Sequence, residues 1–509
     1  MNSLMKTLLG ALFAVAVAVY VKMTFGDIPN VGFLMLAALF GAYMAMNIGA
    51  NDVANNVGPV VGAGAITITG AIIMAAIFET SGALIAGGDV VTTIKKGIID
   101  PAAFAGDPMT FVYAMAAALL AAALWLTLAT ALKAPVSTTH SIVGGVMGAG
   151  IAAGGFMVVS WPTMGKIAAS WVISPVLGGL IAAGFLYIIK SEILYKSDRL
   201  NAAKRVVPIL VSVMAMAFIA YLTLKGLKKV WPDIVHLIPL LPDTSKPTLG
   251  VALVFGFIGA LITYLIVKPR INTKVQGLEN SRNDLNKLFT VPLIFAAALL
   301  SFAHGANDVA NAVGPLAAIY DALAHTTISA KASIPLWVMI VGGVGISIGL
   351  ALFGPRLIKT VGTEITELDN MRAFSIMMAA AITVVLASQL GLPVSSTHIA
   401  VGGVFGVGFL REWLERKGTG EQHMALREQR AVVKTLKAKL SELGEEEKGS
   451  LKEQLKAEKQ KAKALKRTLQ ESYVKRAMVN KIVAAWIITV PTAAVLSAVV
   501  FFLIQFVGL

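Results

Sequence analysis

The chain has 509 residues, of which 57% are hydrophobic and 14% are charged, and its formal net charge is +15. A soluble domain carries about 25% charged residues, so a water-soluble globular fold is excluded for most of the chain. Cysteine is absent, which excludes disulfides, thiolate metal sites and thiol nucleophiles.

The first 30 residues contain one early basic residue, Lys6, followed by an apolar stretch. This pattern fits either a cleaved signal peptide or a first helix that stays in the membrane. We favour the retained helix, as a signal-anchor or an extra span, and therefore treat residues 1–30 as a separate N-terminal unit.

Apolar runs account for most of the sequence. Eleven of them reach, or with their flanks approach, the roughly 20 residues that a helix needs to cross a bilayer, and the alternating pattern of a membrane β-barrel is absent. The runs are Leu8–Val21, Gly32–Met46, Ala71–Ala86, Phe111–Leu132, Ile167–Ile189, Val207–Leu224, Gly250–Val267, Val291–Phe302, Trp337–Phe353, Phe374–Leu390 and Ile482–Val507. The sequence therefore predicts an all-α, multi-pass protein of the cell inner (plasma) membrane that contacts the lipid bilayer.

The positive charge is concentrated in loops between these runs. Lys and Arg cluster in Lys190–Arg205, Lys268–Lys287 and Arg411–Arg476. Basic loops mark the cytoplasmic side of a membrane protein. Since no nucleic-acid recognition module accompanies the charge, no nucleic-acid partner is expected.

Three motifs occur twice, in the same order. The pairs are GANDVAN at Gly49–Asn55 and Gly305–Asn311, PVSTTH at 135–140 and PVSSTH at 393–398, and a Lys five residues before a Trp in Gly165–Pro175 and Asn480–Pro491. Such ordered matches predict an internal duplication. The predicted units are repeat 1 at 31–190, central spans and basic loops at 191–291, repeat 2 at 292–410, a charged insertion at 411–480 and the last helix of repeat 2 at 481–509.

The two repeats are predicted to have opposite orientations. The loop Ile151–Met164, after the first Ser/Thr motif, has no charged residue, whereas the equivalent segment of the second half, Arg411–Asn480, is crowded with Lys and Arg. Equivalent loops of opposite charge character indicate opposite sides of the membrane. We therefore expect inverted-topology repeats with discontinuous or re-entrant helices that meet near the bilayer midplane.

The insertion at 411–480 has the pattern of a cytoplasmic helical hairpin. Leu436 and Leu440 precede a GEEEKG turn, and Leu451 and Leu455 follow it at helical spacing. A solvated charged spacer is the alternative. Regulation or binding of anionic lipid is compatible with the same charge.

The first motif places carboxylate and amide groups at the end of a span. A carboxylate inside a membrane is costly and indicates a functional site. In each copy the Asp and the second Asn are three residues apart, which puts both side chains on one helix face. Their hard oxygen atoms suit Na⁺, although packing between helices is an alternative role. The predicted cation ligands are Asp52, Asn55, Asp308 and Asn311, with Asn51 and Asn307 beside them.

The second motif has the composition of an anion site. Its Pro fixes the approach to a helix whose first residues are hydroxyls, and the free N–H groups at a helix start attract anions. Ordinary N-capping without a ligand is the alternative. The predicted anion ligands are Ser137, Thr138, Thr139, Ser395, Ser396 and Thr397. His140 and His398 follow them, either as proton relays or donors to the anion or, as we prefer, as residues that hold the ligand residues in place.

The charges of the two motifs predict coupled transport. No Lys or Arg lies in the four motif segments, and Lys133 is the nearest. Two aspartates and an anion of one to two negative charges, such as a phosphate, sum to about three to four negative charges. Their repulsion is many times the thermal energy even at an effective dielectric near 20. Such a site fills only if cations enter with the anion. We therefore expect symport with Na⁺ or H⁺, with no catalytic residue and no bound cofactor.

At these motifs the chain strongly resembles the inorganic phosphate transporter (PiT) family of cation-coupled phosphate permeases. The resemblance covers nearly all of Val31–Leu410 and the last span. It implies an elevator-like or rocking symporter, expected as a homodimer, that imports inorganic phosphate with Na⁺ or H⁺. It also implies that the Asp and Asn residues bind the coupling cation, that the six Ser and Thr residues hold phosphate, and that Glu79 takes part in cation coupling.

Other functions fit the residues less well. A symporter of sulfate or of a metal–phosphate complex is the nearest alternative, but a protonated phosphate needs an acceptor that Asp52 or Asp308 supplies. An intramembrane aspartyl enzyme needs two close carboxylates, one of them protonated, and has no use for duplicated hydroxyl-rich helix starts. In a passive channel, fixed aspartates would hinder an anion. The sequence thus predicts a transporter and not an enzyme.

Overall fold

The computed structural model describes residues 3–507, except 133, 135, 239, 326–333, 365–367, 418–420, 443–447 and 474–475. Lys133 and Pro135, which precede the first Ser/Thr motif, therefore lie outside the described residues. The described part of the chain forms twenty α-helices and no strand. The helices are α1 (Ser3–Phe25), α2 (Val31–Asn51), α3 (Val53–Gly62), α4 (Ile68–Ala86), α5 (Gly88–Lys96), α6 (Pro108–Ala131), α7 (Thr138–Gly154), α8 (Trp161–Ile189), α9 (Arg199–Gly226), α10 (Trp231–Leu237), α11 (Leu249–Val275), α12 (Arg282–Leu288), α13 (Thr290–Asp308), α14 (Ala310–His325), α15 (Leu336–Glu364), α16 (Asn370–Gln389), α17 (Ser396–Lys417), α18 (Glu421–Glu442), α19 (Lys448–Tyr473) and α20 (Arg476–Val507).

Among the described residues, eleven segments are long and apolar enough to cross a membrane. Each of the eleven apolar runs overlaps one of them, which confirms the predicted all-α polytopic fold. The segments are Leu4–Phe25, Val31–Gly62, Ile68–Ala86, Pro108–Ala131, Trp161–Leu194, Arg199–Gly226, Leu249–Val275, Thr290–His325, Leu336–Lys359, Asn370–Gln389 and Ile487–Val507. The N-terminal helix α1 packs against α2 and α15.

Two of these segments are interrupted at the first motif. The helix α2 ends at Asn51 and α3 begins at Val53, while Val309 separates α13 from α14. Each interruption is one residue long, and the flanking Pro59 and Pro315 lie inside α3 and α14. The sequence predicted a helix break here because Gly and Pro are poor helix formers. The break is small because Asp52 and Val309, the two interrupting residues, keep right-handed helical dihedral angles.

Helices of one predicted repeat pack against helices of the other. The helix–helix pairs are α2 with α15, α13 with α4, α7 with α20 and α17 with α8. Every pair joins one helix from each repeat, and each pair has a counterpart in which the contributions of the two repeats are exchanged. This pattern is what a two-fold relation between the repeats would produce. Their opposite orientation in the membrane stays a prediction.

Glycine permits the closest of these contacts. A Cβ atom built on Gly49 of α2 would overlap the carbonyl oxygen of Ile346 in α15, and one on Gly305 of α13 would overlap that of Glu79 in α4. Small residues allow the backbones of membrane helices to approach in this way. The first glycine of each GANDVAN motif therefore fixes the interrupted segment against its partner helix.

Replacement of this glycine should destabilise the fold. We expect Gly49→Ala to reduce the free energy of unfolding by about 1–3 kcal/mol, since the added methyl meets backbone that cannot rotate away. Gly32→Ala, on the same helix, is the control because its added Cβ has no atom within 4 Å. Melting temperatures of the detergent-solubilised proteins measure the difference. Equal melting temperatures for the two variants would contradict the proposed close packing.

Candidate ion site

Two buried aspartates, one from each repeat, share the hydroxyl group of Thr138. The side chain of Thr138 donates to Asp52 Oδ2 at 2.6 Å, and its Oγ1 lies 3.3 Å from Asp308 Oδ2. Thr397 Oγ1 donates to Asp52 Oδ1. Asp52 and Asp308 are both 0% exposed. The two helix interruptions therefore meet the first turns of α7 and α17.

The amide groups of the first motif cross to the hydroxyls of the opposite repeat. Asn55 Nδ2 donates to Thr397 Oγ1 at 2.9 Å. In the reverse direction, Asn311 Nδ2 donates to Thr138 Oγ1 at 3.1 Å and contacts Thr139 Oγ1 at 3.2 Å. The structure thus brings together the carboxylate and amide residues of one repeat with the hydroxyl residues of the other.

The serines at the two helix starts form N-caps. Ser137 Oγ accepts from the backbone N–H of His140 at 3.1 Å, and Ser395 Oγ accepts from that of His398 at 3.2 Å. A capping serine satisfies one of the free N–H groups of the first turn. Ser396 is 1% exposed, and its Oγ has no hydrogen-bond partner among the described residues. Its hydroxyl is therefore available to a ligand.

The two histidines of the second motif contact each other. The ring centroids of His140 and His398 are 4.4 Å apart, and Trp171 packs on His140 with a centroid distance of 3.7 Å. Trp171 Nε1 donates to the carbonyl oxygen of Pro393 at 3.2 Å. This aromatic stack joins the first turns of α7 and α17, a placement that fits the supporting role predicted for the two histidines.

Asn51 and Asn307 hold the loops that lead into the Ser/Thr motifs. Asn51 Nδ2 donates to the Ala134 carbonyl at 3.2 Å, and its Oδ1 accepts from Val136 N at 3.3 Å. Asn307 makes the matching contacts, with the Leu392 carbonyl at 3.1 Å and Val394 N at 3.3 Å. Their amide groups are thus occupied by backbone and lie beside the shared hydroxyl cluster, not in it.

A buried histidine links Glu79 to Asp308. His304 Nδ1 lies 2.6 Å from Glu79 Oε2, and its Nε2 lies 3.0 Å from Asp308 Oδ2. Asn56 Nδ2 donates to the other carboxylate oxygen of Glu79 at 2.9 Å. Glu79 is therefore connected to the shared aspartates through His304, a residue that sequence reasoning missed.

The counterpart of this link in the other repeat is apolar. The residue before the first glycine of the motif is Ile48 in repeat 1 and His304 in repeat 2. That glycine approaches Ile346 in the first case and Glu79 in the second. The Glu79–His304 pair thus corresponds to an isoleucine pair, so Asp52 and Asp308 have different surroundings. The signal was present in the sequence, because the two copies differ in type at the position before the glycine.

The cluster offers carboxylate and amide oxygens and a histidine nitrogen as possible ligands for a cation. One atom from each of Asp52, His304 and Asp308 lies within 4.8 Å of the other two. Among the described residues, Asp308 Oδ1 and Asn311 Oδ1 are buried without a hydrogen-bond partner. Buried acceptors without partners are costly, and a bound cation is one ligand that satisfies such an oxygen. The contacts described here involve no Lys or Arg side chain.

Comparison with known proteins gives a consistent answer. The model of the phosphate transporter family (PHO4) matches residues 48–497. A Helicobacter pylori protein named "Putative phosphate permease" is 48% identical over 527 aligned residues, covering 99% of this chain and 96% of that protein. A Pyrococcus abyssi protein with the same description is 40% identical and covers 74% of this chain and 89% of its own length.

A solved structure shares the fold. It is described as a sodium-dependent phosphate transporter, is 31% identical, and superposes with a TM-score of 0.74 over 93% of this chain and 99% of its own. Residues 48–497, which the family model matches, include all four motif segments. The family is one of transporters, which confirms the prediction that the chain is not an enzyme. The chain belongs to the phosphate transporter family.

Proposed function

We propose that the protein is a secondary active transporter that imports inorganic phosphate by symport with Na⁺ or H⁺. The observation that carries this proposal is the hydroxyl of Thr138 between Asp52 and Asp308, because it joins the predicted anion and cation sites in one buried cluster. An anion bound there lies beside two carboxylates. A cation must neutralise at least part of their charge before the anion can enter.

Asp52, Asn55, Asp308 and Asn311 are assigned to the coupling cation. The unpartnered oxygens of Asp308 and Asn311 support this role, and hard oxygen ligands favour Na⁺. The sodium dependence of the structural neighbour agrees with that choice. Glu79 would act on the same cation through His304. We assign Asn51 and Asn307, which the sequence grouped with the cation ligands, to positioning the loops before α7 and α17.

Phosphate is assigned to the first turns of α7 and α17. Thr138, Thr139, Ser396 and Thr397 present hydroxyls there, and Ser137 and Ser395 shape the two helix starts by capping them. Helix starts favour anions because their N–H groups are free and the helix dipole is positive at that end. A protonated phosphate can donate to an aspartate, which sulfate cannot do.

The wider arrangement is also proposed. The exchanged helix pairs support two inverted repeats at 31–190 and 292–509, with an insertion at 411–480. A homodimer in the cell inner membrane and an elevator-like or rocking motion stay predictions of the family resemblance.

Radiolabelled phosphate uptake into proteoliposomes tests the proposed function. We expect accumulation when an inward Na⁺ gradient is imposed and none without a cation gradient, because the buried aspartates exclude an uncompensated anion. Accumulation driven by a pH gradient alone would assign coupling to H⁺. Accumulation without either gradient would contradict symport.

Competing anions and metal ions distinguish the alternatives in the same vesicles. Excess sulfate should leave phosphate uptake unchanged. Strong inhibition by sulfate would indicate a general oxyanion symporter, and a requirement for a divalent metal ion would indicate transport of a metal–phosphate complex.

A further inference from the structure

We propose that a lysine stripe on α19 binds the anionic lipid headgroups of the membrane in which the protein lies. The stripe consists of Lys452, Lys456, Lys459 and Lys463, all of them exposed. Their spacing of four, three and four residues places them within about 60° of one another around a helix of 3.6 residues per turn. The stripe therefore presents four positive charges on one face.

The charges of the stripe are not neutralised by the hairpin itself. Among the described residues, none of the four lysines takes part in an ion pair. Their neighbour Lys461, outside the stripe, does form one, with Glu458 Oε1 at 2.7 Å. That hydrogen bond, together with one from Gln429 of α18, holds the pKa of Glu458 below its usual value. The two acidic residues of this region, Glu453 and Glu458, lie about 90° or more from the centre of the stripe.

The stripe borders an apolar groove. Leu440 at the end of α18 and Leu455 of α19 line it together with the four lysines, and its volume is about 410 Å³. Lysine side chains commonly pack their methylene groups on apolar surface and extend the ammonium group outwards. The groove therefore offers apolar surface to the lysine stems, while the exposed side chains stay open to a partner.

The position of the hairpin in the chain selects a membrane as the partner. The hairpin α18–α19 connects α17, which carries the second Ser/Thr motif, to α20, which contains the membrane segment Ile487–Val507. In addition, α19 contacts α17. The hairpin is therefore tethered close to the membrane, where anionic lipids attract basic segments.

The shape of the stripe favours a surface over a single small anion. Lys463 lies eleven positions after Lys452, so the stripe is about 16 Å long at 1.5 Å per residue. A free phosphate ion would be bound by converging groups, whereas these four charges follow a line. Each lysine near an anionic surface strengthens its attachment about fivefold, so the loss of all four should weaken it several-hundredfold.

The test places a fluorescent probe on the hairpin of the full-length protein. The chain has no cysteine, so Gln460→Cys, beside the stripe, creates one labelling position for an environment-sensitive dye. The labelled protein is reconstituted in nanodiscs of phosphatidylcholine alone or of phosphatidylcholine with phosphatidylglycerol. We expect the dye emission to shift to shorter wavelength only in the anionic nanodiscs, and to return at high salt because salt screens the attraction.

Two charge variants make the test specific. K452Q/K456Q/K459Q/K463Q should abolish the lipid-dependent shift, and helicity should be kept because Gln and Lys have similar helix propensities. The control K434Q/K437Q/K439Q/K461Q removes the same charge from positions outside the stripe and should retain the shift. Equal emission in the two lipids, or loss of the shift in both variants, would overturn the proposal. So would a shift produced by inorganic phosphate in phosphatidylcholine nanodiscs, because the ligand would then be the free ion.

Discussion

Asp308→Asn is expected to reduce cation-driven phosphate uptake by at least about 100-fold. A unit charge at about 4 Å from a cation contributes about 4 kcal/mol at an effective dielectric near 20, equivalent to roughly three orders of magnitude in affinity. Asp308 has one buried carboxylate oxygen without a hydrogen-bond partner among the described residues. Of the two aspartates, Asp308 is therefore the one with a carboxylate oxygen left open to a cation. Initial uptake rates at graded Na⁺ concentrations measure the effect.

Asp52→Asn should cause a similar loss of uptake for a second reason. Both carboxylate oxygens of Asp52 accept hydrogen bonds, from Thr138 and Thr397. An amide replaces one acceptor with a donor, so one of these hydroxyls must turn away. We expect this variant to bind phosphate less tightly even at saturating cation, whereas Asp308→Asn should mainly raise the cation concentration required.

The control for both variants is Asp107→Asn. Asp107 is exposed and caps α6 by accepting from Thr110 N at 3.3 Å. Asn caps a helix about as well as Asp, so the same chemical change outside the cluster should leave uptake within about twofold of the wild type. Gradient-driven uptake that persists in both motif variants with an unchanged cation dependence would refute the assigned roles of the aspartates.

The sequence was sufficient for the spans and for the composition of the cluster. Apolar length alone identifies membrane helices because no water is available inside the bilayer to satisfy exposed backbone. The duplicated motifs identified Asp52, Asp308 and the hydroxyl residues because polar groups in such runs require a partner or a ligand. The structure places these residues in contact, and their functional roles stay proposals.

The sequence was insufficient to predict the role of a residue that depends on the direction of its side chain or on its contact partner. Asn51 adjoins Asp52, yet neighbouring residues on a helix point about 100° apart, so Asn51 reaches the loop before α7 and not the cluster. His304 differs from Ile48, which occupies the same position before the first motif copy, but the sequence does not show which side chain His304 meets. Its importance depends on the contact between α13 and α4, which a sequence read along one chain does not contain.

Variants of the Glu79–His304 pair test whether this contact is functional or only structural. We expect Glu79→Ile or His304→Ile alone to reduce the free energy of unfolding by about 3–5 kcal/mol, because the remaining partner would be buried without its hydrogen bond. Replacing both residues by isoleucine copies the Ile48–Ile346 pair of the other repeat. Since an apolar pair can replace a buried polar pair at little cost, the double variant should regain part of the lost stability. The remaining loss is the cost of Asn56 Nδ2, whose acceptor Glu79 Oε1 is absent from the variant.

In the double variant, phosphate uptake should not recover together with the melting temperature. In the double variant Asp308 loses the ring nitrogen that lies 3.0 Å from its Oδ2, so the two aspartates acquire similar surroundings. We expect phosphate uptake to stay below about one tenth of the wild type while the melting temperature rises above those of both single variants, a separation that a purely structural pair cannot produce. If uptake instead returned in proportion to stability, the asymmetry between the repeats would be a packing feature. Cation coupling would then depend on Asp52 and Asp308 without the contribution of Glu79.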